Sequence, residues 1–294
     1  MDYTIVTDSS CNLTDEPYLF GKLRPRTVGP ALRFIAGDEE YRSYLKGAHV
    51  DLQEFYAMMR EGTVFTTSLP NLGEAEAQLR AILEAGQDLI YIGFSSGLSG
   101  TYAAVAALLD SLAPDSPERT VRHIDTYAAS GGEGLLVYYA ATMRAQGAGI
   151  DEVLQWLHDN RLRLAHWFTV DDLMFLFRGG RVSRTNAWAG TLLNIKPVMH
   201  VDDEGHLIPL EKVRGRKKSI HALLDRMKRS AREPVADQTV FITHGDCIDD
   251  ANYLADLIRK EFGTADIRIN YIDPVIGAHS GPGTLALFFL ADER

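Results

Sequence analysis

Short apolar runs alternate along the chain with stretches whose apolar residues recur every three or four positions. Residues 4–8 (TIVTD), 88–94 (DLIYIGF) and 121–125 (VRHID) have the length and branched composition of buried strands. Residues 51–60 (DLQEFYAMMR) and 101–112 (TYAAVAALLDSL) read as helices. So do residues 71–86, where Leu72, Ala75, Leu79, Ile82 and Leu83 form one stripe, and residues 134–147, which end at the plausible C′ glycine Gly147. Strands alternating with helices predict a parallel sheet covered on both faces.

The pattern changes near residues 147–165. A helix over 151–162 leads to a strand at 164–170, a helix ending in RGG, and a helix over 185–194 (TNAWAGTLLN). Two strand-like runs, 195–201 and 206–213, flank Asp202-Asp203-Glu204-Gly205, a hairpin signal. A basic helix (217–230), a strand (238–244), a helix (249–262) and two final strands (266–272 and 284–290) follow. The expected fold class is therefore α/β with two domains, residues 1–155 around a parallel sheet and residues 156–294 around a mixed one.

The 294 residues are 46% hydrophobic and 24% charged, as in an ordinary globular protein large enough to bury a core without staples. A net charge of -10 argues against nucleic-acid binding, which needs clustered cations. Two cysteines, Cys11 and Cys247, with no C-x-x-C, argue against a disulfide scaffold or thiolate metal cluster and fit a reducing cytoplasm. The N-terminal residues lack the basic-then-apolar order of a signal peptide, and no apolar run approaches the ~20 residues that span a bilayer. A cytoplasmic protein is expected.

Three segments concentrate hydroxyls, glycines and one imidazole. Residues 93–102 (GFSSGLSGTY) link a strand to a helix that starts at Ser99 or Thr101. An anion suits such a helix N-terminus. No P-loop is present, because Lys is missing after the glycine. The first five residues also fit the G-x-S-x-G of a hydrolase elbow, with Ser95 as nucleophile and Asp246 or Asp273 with His279 completing a triad. Against that, Gly97 to Gly100 intervene where an elbow helix would already have begun. A merely solvated glycine-rich connection is the third reading. In residues 64–71 (VFTTSLPN), Ser68 or Asn71 can cap the next helix, which leaves Thr66 and Thr67 unexplained. Residues 276–284 (IGAHSGPGT) place His279 in what reads as a rigid glycine-rich loop.

Taken with TDSSCNLT (7–14) and LMFLFRGGRVSR (173–184), these segments resemble the DegV family in order and spacing over essentially the whole chain. That family includes the fatty-acid-binding subunits of bacterial fatty acid kinase. The resemblance implies a two-domain α/β protein that buries a long acyl chain. The fatty-acid carboxylate would then be held by Thr67, Ser96 and His279, with the Gly97 N–H as a further donor. Asp8, Ser9, Ser68 and Ser95 would play supporting roles. Leu69 stands where Gln is common, and Ala278 and Ser280 where Thr often flanks the His; residues 21–47 are less family-like.

Burying a methylene is worth about 0.8 kcal/mol, so the tail would set affinity, while hydroxyls and one imidazole orient the acid. Trp167, Phe168, Leu173, Phe175, Leu176, Trp188, Leu192, Leu193, Phe288 and Phe289 supply candidate apolar walls, each of which could equally be ordinary core. The resemblance also implies a separate partner kinase that phosphorylates the bound acid. Arg178, Arg181, Arg214 and Lys217 would dock that kinase or its phosphate, unless they form only a solvated face. The chain alone would be a carrier without catalysis, making only transient membrane contact for lipid exchange. The alternatives are the Ser95–His279 hydrolase and a lipid-responsive protein without a kinase. Three His-x-Asp pairs (His123, His200, His244) lack the company of a metal site, so no metal or other cofactor is expected.

Overall fold

The computed structural model describes residues 3–13, 31–43, 51–183, 194–263 and 266–294. Strands β1 (Tyr3–Thr7), β5 (Asp88–Gly93) and β6 (Val121–Asp125) form a parallel sheet in the order β1-β5-β6. Period-two alternation sends Val6, Leu89 and Tyr91 to one face and Ile5, Ile90 and Ile92 to the other. The first face packs on helices α2 (Leu72–Glu84) and α3 (Thr101–Leu112). The second meets α4 (Gly131–Ala145) and α5 (Ile150–Asn160). Helices therefore cover both faces, as the alternating pattern predicts.

A six-stranded mixed sheet occupies the C-terminal part, in the order β11-β10-β12-β7-β8-β9. Its strands are β7 (Leu164–Thr169), β8 (Ile195–Val201), β9 (Leu207–Arg214), β10 (Val240–His244), β11 (Ile267–Tyr271) and β12 (Leu285–Leu290). Only β10–β11 is parallel among these pairs; β8 and β9 form the hairpin expected from the Asp202–Gly205 turn. One face carries Trp167, Leu287 and Phe289 onto α7 (Arg216–Ser230) and α8 (Ile248–Phe262). The other carries Phe168, Ala286 and Phe288 toward α4. Helix α4 thus lies between the two sheets, which is why Leu135, Leu136, Val137, Ala140 and Ala141 are all fully buried.

Three features depart from the sequence reading. A third, antiparallel sheet, β3-β2-β4, joins β2 (Arg33–Ala36), β3 (Glu39–Arg42) and β4 (Phe65–Ser68), so the TTS segment is a strand, with Thr67 opposite Phe34. His279 sits not in a loop but in the last turn of a helix, α9 (Pro274–Ser280). Asp273 caps that helix by accepting from the N–H groups of Val275 and Ile276, Pro274 opens it, and Gly281 ends it at φ +82. Leu72 leaves its stripe and is exposed. The helix expected over 185–194, and with it Arg184, Trp188, Leu192 and Leu193, lies outside the described residues. Helices α1 (Leu52–Arg60) and α6 (Met174–Arg178) complete the helical set used below.

Candidate ligand-binding site

A cavity of about 320 Å³ lies between the α4-facing side of the mixed sheet and the loops at the carboxyl ends of the parallel strands. Its volume is in the ~300–1,000 Å³ range of small-molecule sites, and that position is where open α/β sheets bind ligands. Most of the wall is apolar: Phe168, Leu176, Ala286 and Phe288 from one side, Leu32, Phe94, Leu98, Val275 and Ile276 from the other, with Val201 and Leu207 from the hairpin. Of the aromatic walls expected from sequence, Phe168 and Phe288 line this cavity. Phe175 lines a second chamber, and Trp167 and Phe289 face the opposite side of their sheet.

One polar corner stands out. Thr67 Oγ1, at the end of β4, lies 2.7 Å from His279 Nε2. Burial, followed by the charge of Arg181, pulls His279 down to about 4, so the imidazole is neutral at pH 7. Its Nδ1 has no hydrogen-bond partner among the described residues. It packs against Gly179, where an added Cβ would come within 2.1 Å of that nitrogen. Arg181 places its guanidinium on the same wall, with Nε donating to Leu98 O at 3.2 Å and Nη1 to Gly179 O at 2.5 Å. Burial lowers the Arg181 pKa, yet an arginine keeps its charge.

Thr67, His279 and Arg181 also line a smaller chamber of about 200 Å³, together with Thr63, Thr66, Phe175 and Arg178. The hydrogen-bonded pair is therefore a partition between a greasy chamber and a more polar one. Arg178 is exposed there, its guanidinium 4.6 Å from the centre of the Phe175 ring. Arg214 and Lys217, at the end of β9 and in the first turn of α7, are exposed and line neither chamber.

The hydroxyl loop is arranged differently from the expectation. Ser96 is exposed, its N–H 3.3 Å from each Asp125 carboxylate oxygen, and neither Ser96 nor Gly97 lines either chamber. Ser99 and Gly100 of the same loop line the large one. Ser99 is the third serine of the loop, whereas the family resemblance points to the second, Ser96. Ser68 also lines it, its hydroxyl 3.4 Å from Leu69 O.

Ser95 is fully buried. Its hydroxyl donates to Gly205 O at 3.0 Å and accepts from Gly97 N at 3.2 Å, which clasps the loop to the β8–β9 turn. The hydrolase constellation does not assemble: Ser95 is spent on that carbonyl, Asp273 on capping α9, and Asp246 on Arg60 and Tyr271. Asp8 and Ser9 sit beneath the loops, with Asp8 accepting from Phe94 N and Ser9 Oγ accepting from Leu32 N. Among the described residues no group of His, Cys, Asp and Glu could hold a metal ion. No helix among them is long and apolar enough to cross a membrane.

A sequence model described as uncharacterised protein, DegV family, matches residues 2–292. The chain belongs to the DegV family. A DegV domain-containing protein of Clostridium perfringens is 43% identical over 240 residues, 82% of each chain. Among solved structures, a DegV lipid-binding protein from Thermotoga maritima superposes with a TM-score of 0.84 at 27% identity and full coverage of both chains. A DegV family protein from Thermus thermophilus, described by its fatty acid binding, gives 0.83 at 28% identity, over 99% of this chain and 100% of that one. The family match and these superpositions agree with the α/β architecture, parallel sheet first and mixed sheet second, that the hydrophobic pattern predicts.

Proposed function

We propose that this DegV chain buries the tail of a long-chain fatty acid in the 320 Å³ cavity and holds its carboxylate at the Thr67–His279 corner. The observation that carries the reading is the apolar chamber closed at one end by a hydroxyl and a neutral imidazole, with a guanidinium beside them. Ser99 takes the place first given to Ser96 as the loop's hydroxyl donor, because it lines the chamber and Ser96 does not; its oxygen accepts from Thr101 N at 3.2 Å and, in this reading, from Thr101 Oγ1 at 2.8 Å, which leaves its own proton for the acid. The Gly97 N–H is spent on Ser95 and drops out of the head-group set. In this reading residues 1–155 supply the hydroxyl segments, and residues 156–294 supply His279 and most of the tail wall.

Charge-assisted bonds of about 1.5–3 kcal/mol each orient the acid, while the tail provides the affinity. Neutral donors and one lateral cation favour a carboxylate over an ester or alcohol without trapping it as a rigid ion pair. Arg178 lines only the outer chamber, on the far side of the partition from the tail, and Arg181 lines both chambers. That placement supports the second half of the proposal: a separate kinase phosphorylates the exposed carboxylate, and these cations steady the charge gathered there. The chain itself acts as a carrier.

Native mass spectrometry of freshly purified protein tests the first half; a retained mass matching a fatty acid supports it, and a ligand-free protein that fails to take up added oleate overturns it. For the second half, charge reversal Arg178→Glu is expected to abolish acyl-phosphate formation by the kinase while a fatty acid still binds, because Arg178 lines only the outer chamber. Unchanged turnover in that variant would remove Arg178 from the mechanism.

A further inference from the structure

Beneath the hydroxyl loop two carboxyl groups are buried together. Asp8 is 1% exposed and Glu133 0%, and the hydroxyl of Ser10 bridges them, 2.5 Å from Asp8 Oδ1 and 2.6 Å from Glu133 Oε2. A serine hydroxyl owns one proton and can donate to only one of two acceptors. At 2.6 Å the other contact needs a proton of its own, and a carboxyl oxygen must carry it.

The remaining donors decide which. Asp8 also receives the Ser10 N–H at 3.0 Å, the Tyr91 hydroxyl at 2.9 Å and the Phe94 N–H at 3.1 Å. Glu133 receives only the Thr7 hydroxyl, at 3.0 Å on Oε1. Four donors suit an ionised carboxylate; a single one leaves the other oxygen free to donate. We infer that Glu133 is a protonated carboxylic acid at neutral pH, donating through Ser10 to an ionised Asp8, and that this relay is what positions the hydroxyl loop.

The rest of the environment agrees. The titratable groups facing Glu133 are Asp8, Asp273, Cys11 and Tyr91, and among the described residues no cation pairs with either carboxyl. Burial first, then the charge of Asp8, pushes Glu133 well above the usual carboxylate range, whereas Asp8 is raised less and is held by its donors. The backbone is built to admit the acid: a Cβ at Gly134 would stand 2.4 Å from Cys11 O, so a glycine beside Glu133 lets α4 press against the turn that carries Ser10. Asp8 in turn holds Tyr91 and Phe94, the end of β5 from which the loop departs, and Phe94 lines the cavity. Glu133 is thus a positioning residue, independent of which ligand the cavity takes.

The test is Glu133→Gln, whose amide has the shape and donor of the protonated acid. Infrared spectroscopy at pH 7 in deuterated buffer should show a carboxylic-acid carbonyl stretch in the wild-type protein that vanishes in E133Q. The pH profile of melting temperature gives a second readout. The native state keeps the Glu133 proton while the unfolded chain releases it near about pH 4.3. Wild type should therefore lose stability relative to E133Q as pH rises from 5 to about 8. A missing band, a band that persists undiminished in E133Q, a pH-independent difference in melting temperature, or an E133Q protein that does not fold would each overturn the inference.

Discussion

Substituting Thr67→Val deletes one hydroxyl at nearly constant volume. The hydroxyl is half-buried and lies 2.7 Å from His279 Nε2. Among the described residues His279 has no second hydrogen-bond partner, since its Nδ1 meets none. In the proposed mode of binding the substitution removes a charge-assisted bond to the carboxylate, about 1.5–3 kcal/mol, and leaves the imidazole without a partner at either nitrogen among the described residues. In dissociation constant that is about a 10- to 150-fold loss for the acid. A fatty alcohol of the same length buries the same tail and forgoes the ionic part, so it should lose far less. The assay is competitive displacement of a fluorescent fatty acid by matched acid and alcohol in both proteins. The ratio of the two affinities cancels changes in folding and in tail packing. If valine weakens acid and alcohol by the same factor, or leaves the acid preference intact, Thr67 does not touch the head group and the corner has been misassigned.

The pH dependence of stability carries the neutral imidazole's signature. With the native value near 4 and an ordinary value of 6.5, protons bind the unfolded chain first, so wild type loses stability as pH falls from 6.5 through about 4. The gap corresponds to about 3 kcal/mol. H279Q, which cannot titrate, should gain on wild type by several degrees of melting temperature between pH 7 and pH 4. Asp273, raised to about 6 by burial, runs the opposite way, its stabilisation fading as pH rises from 3.8 through 6, which is why the comparison must be made between variant and wild type. A constant difference across that range would show that His279 is solvated. Gly179→Ala puts a methyl 2.1 Å from His279 Nδ1 and must displace the ring. It should erase the acid-over-alcohol preference while circular dichroism stays native, and an unchanged preference would mean that the ring has room to yield.

Most strands and helices of the two larger sheets are legible in the sequence because both sheets have apolar faces that must be covered, and periodicity records that need locally; the small antiparallel sheet β3-β2-β4 is not. The family resemblance singles out Thr67 and His279, which the fold brings within 2.7 Å of each other, but what depends on distance is not legible. Which of three serines meets the cavity is decided by the clasp of Ser95 to Gly205, a partner 110 residues away that no local pattern announces. Alternation along β7 places Trp167 and Phe168 on opposite sides but cannot say which side encloses the cavity, since α7 and α8 demand an apolar face as well. The helix bearing His279 is legible in Asp273-Pro274, a capping residue followed by a proline at the first helical position, but the glycines that end the helix give the segment the look of a loop. Glycine had two meanings in this chain. At Gly281 it stops a helix, but at Gly179 it makes room for an imidazole contributed from a hundred residues further on. Only the second meaning concerns the polar corner of the cavity, and it becomes visible only once the fold has brought the ring to the glycine.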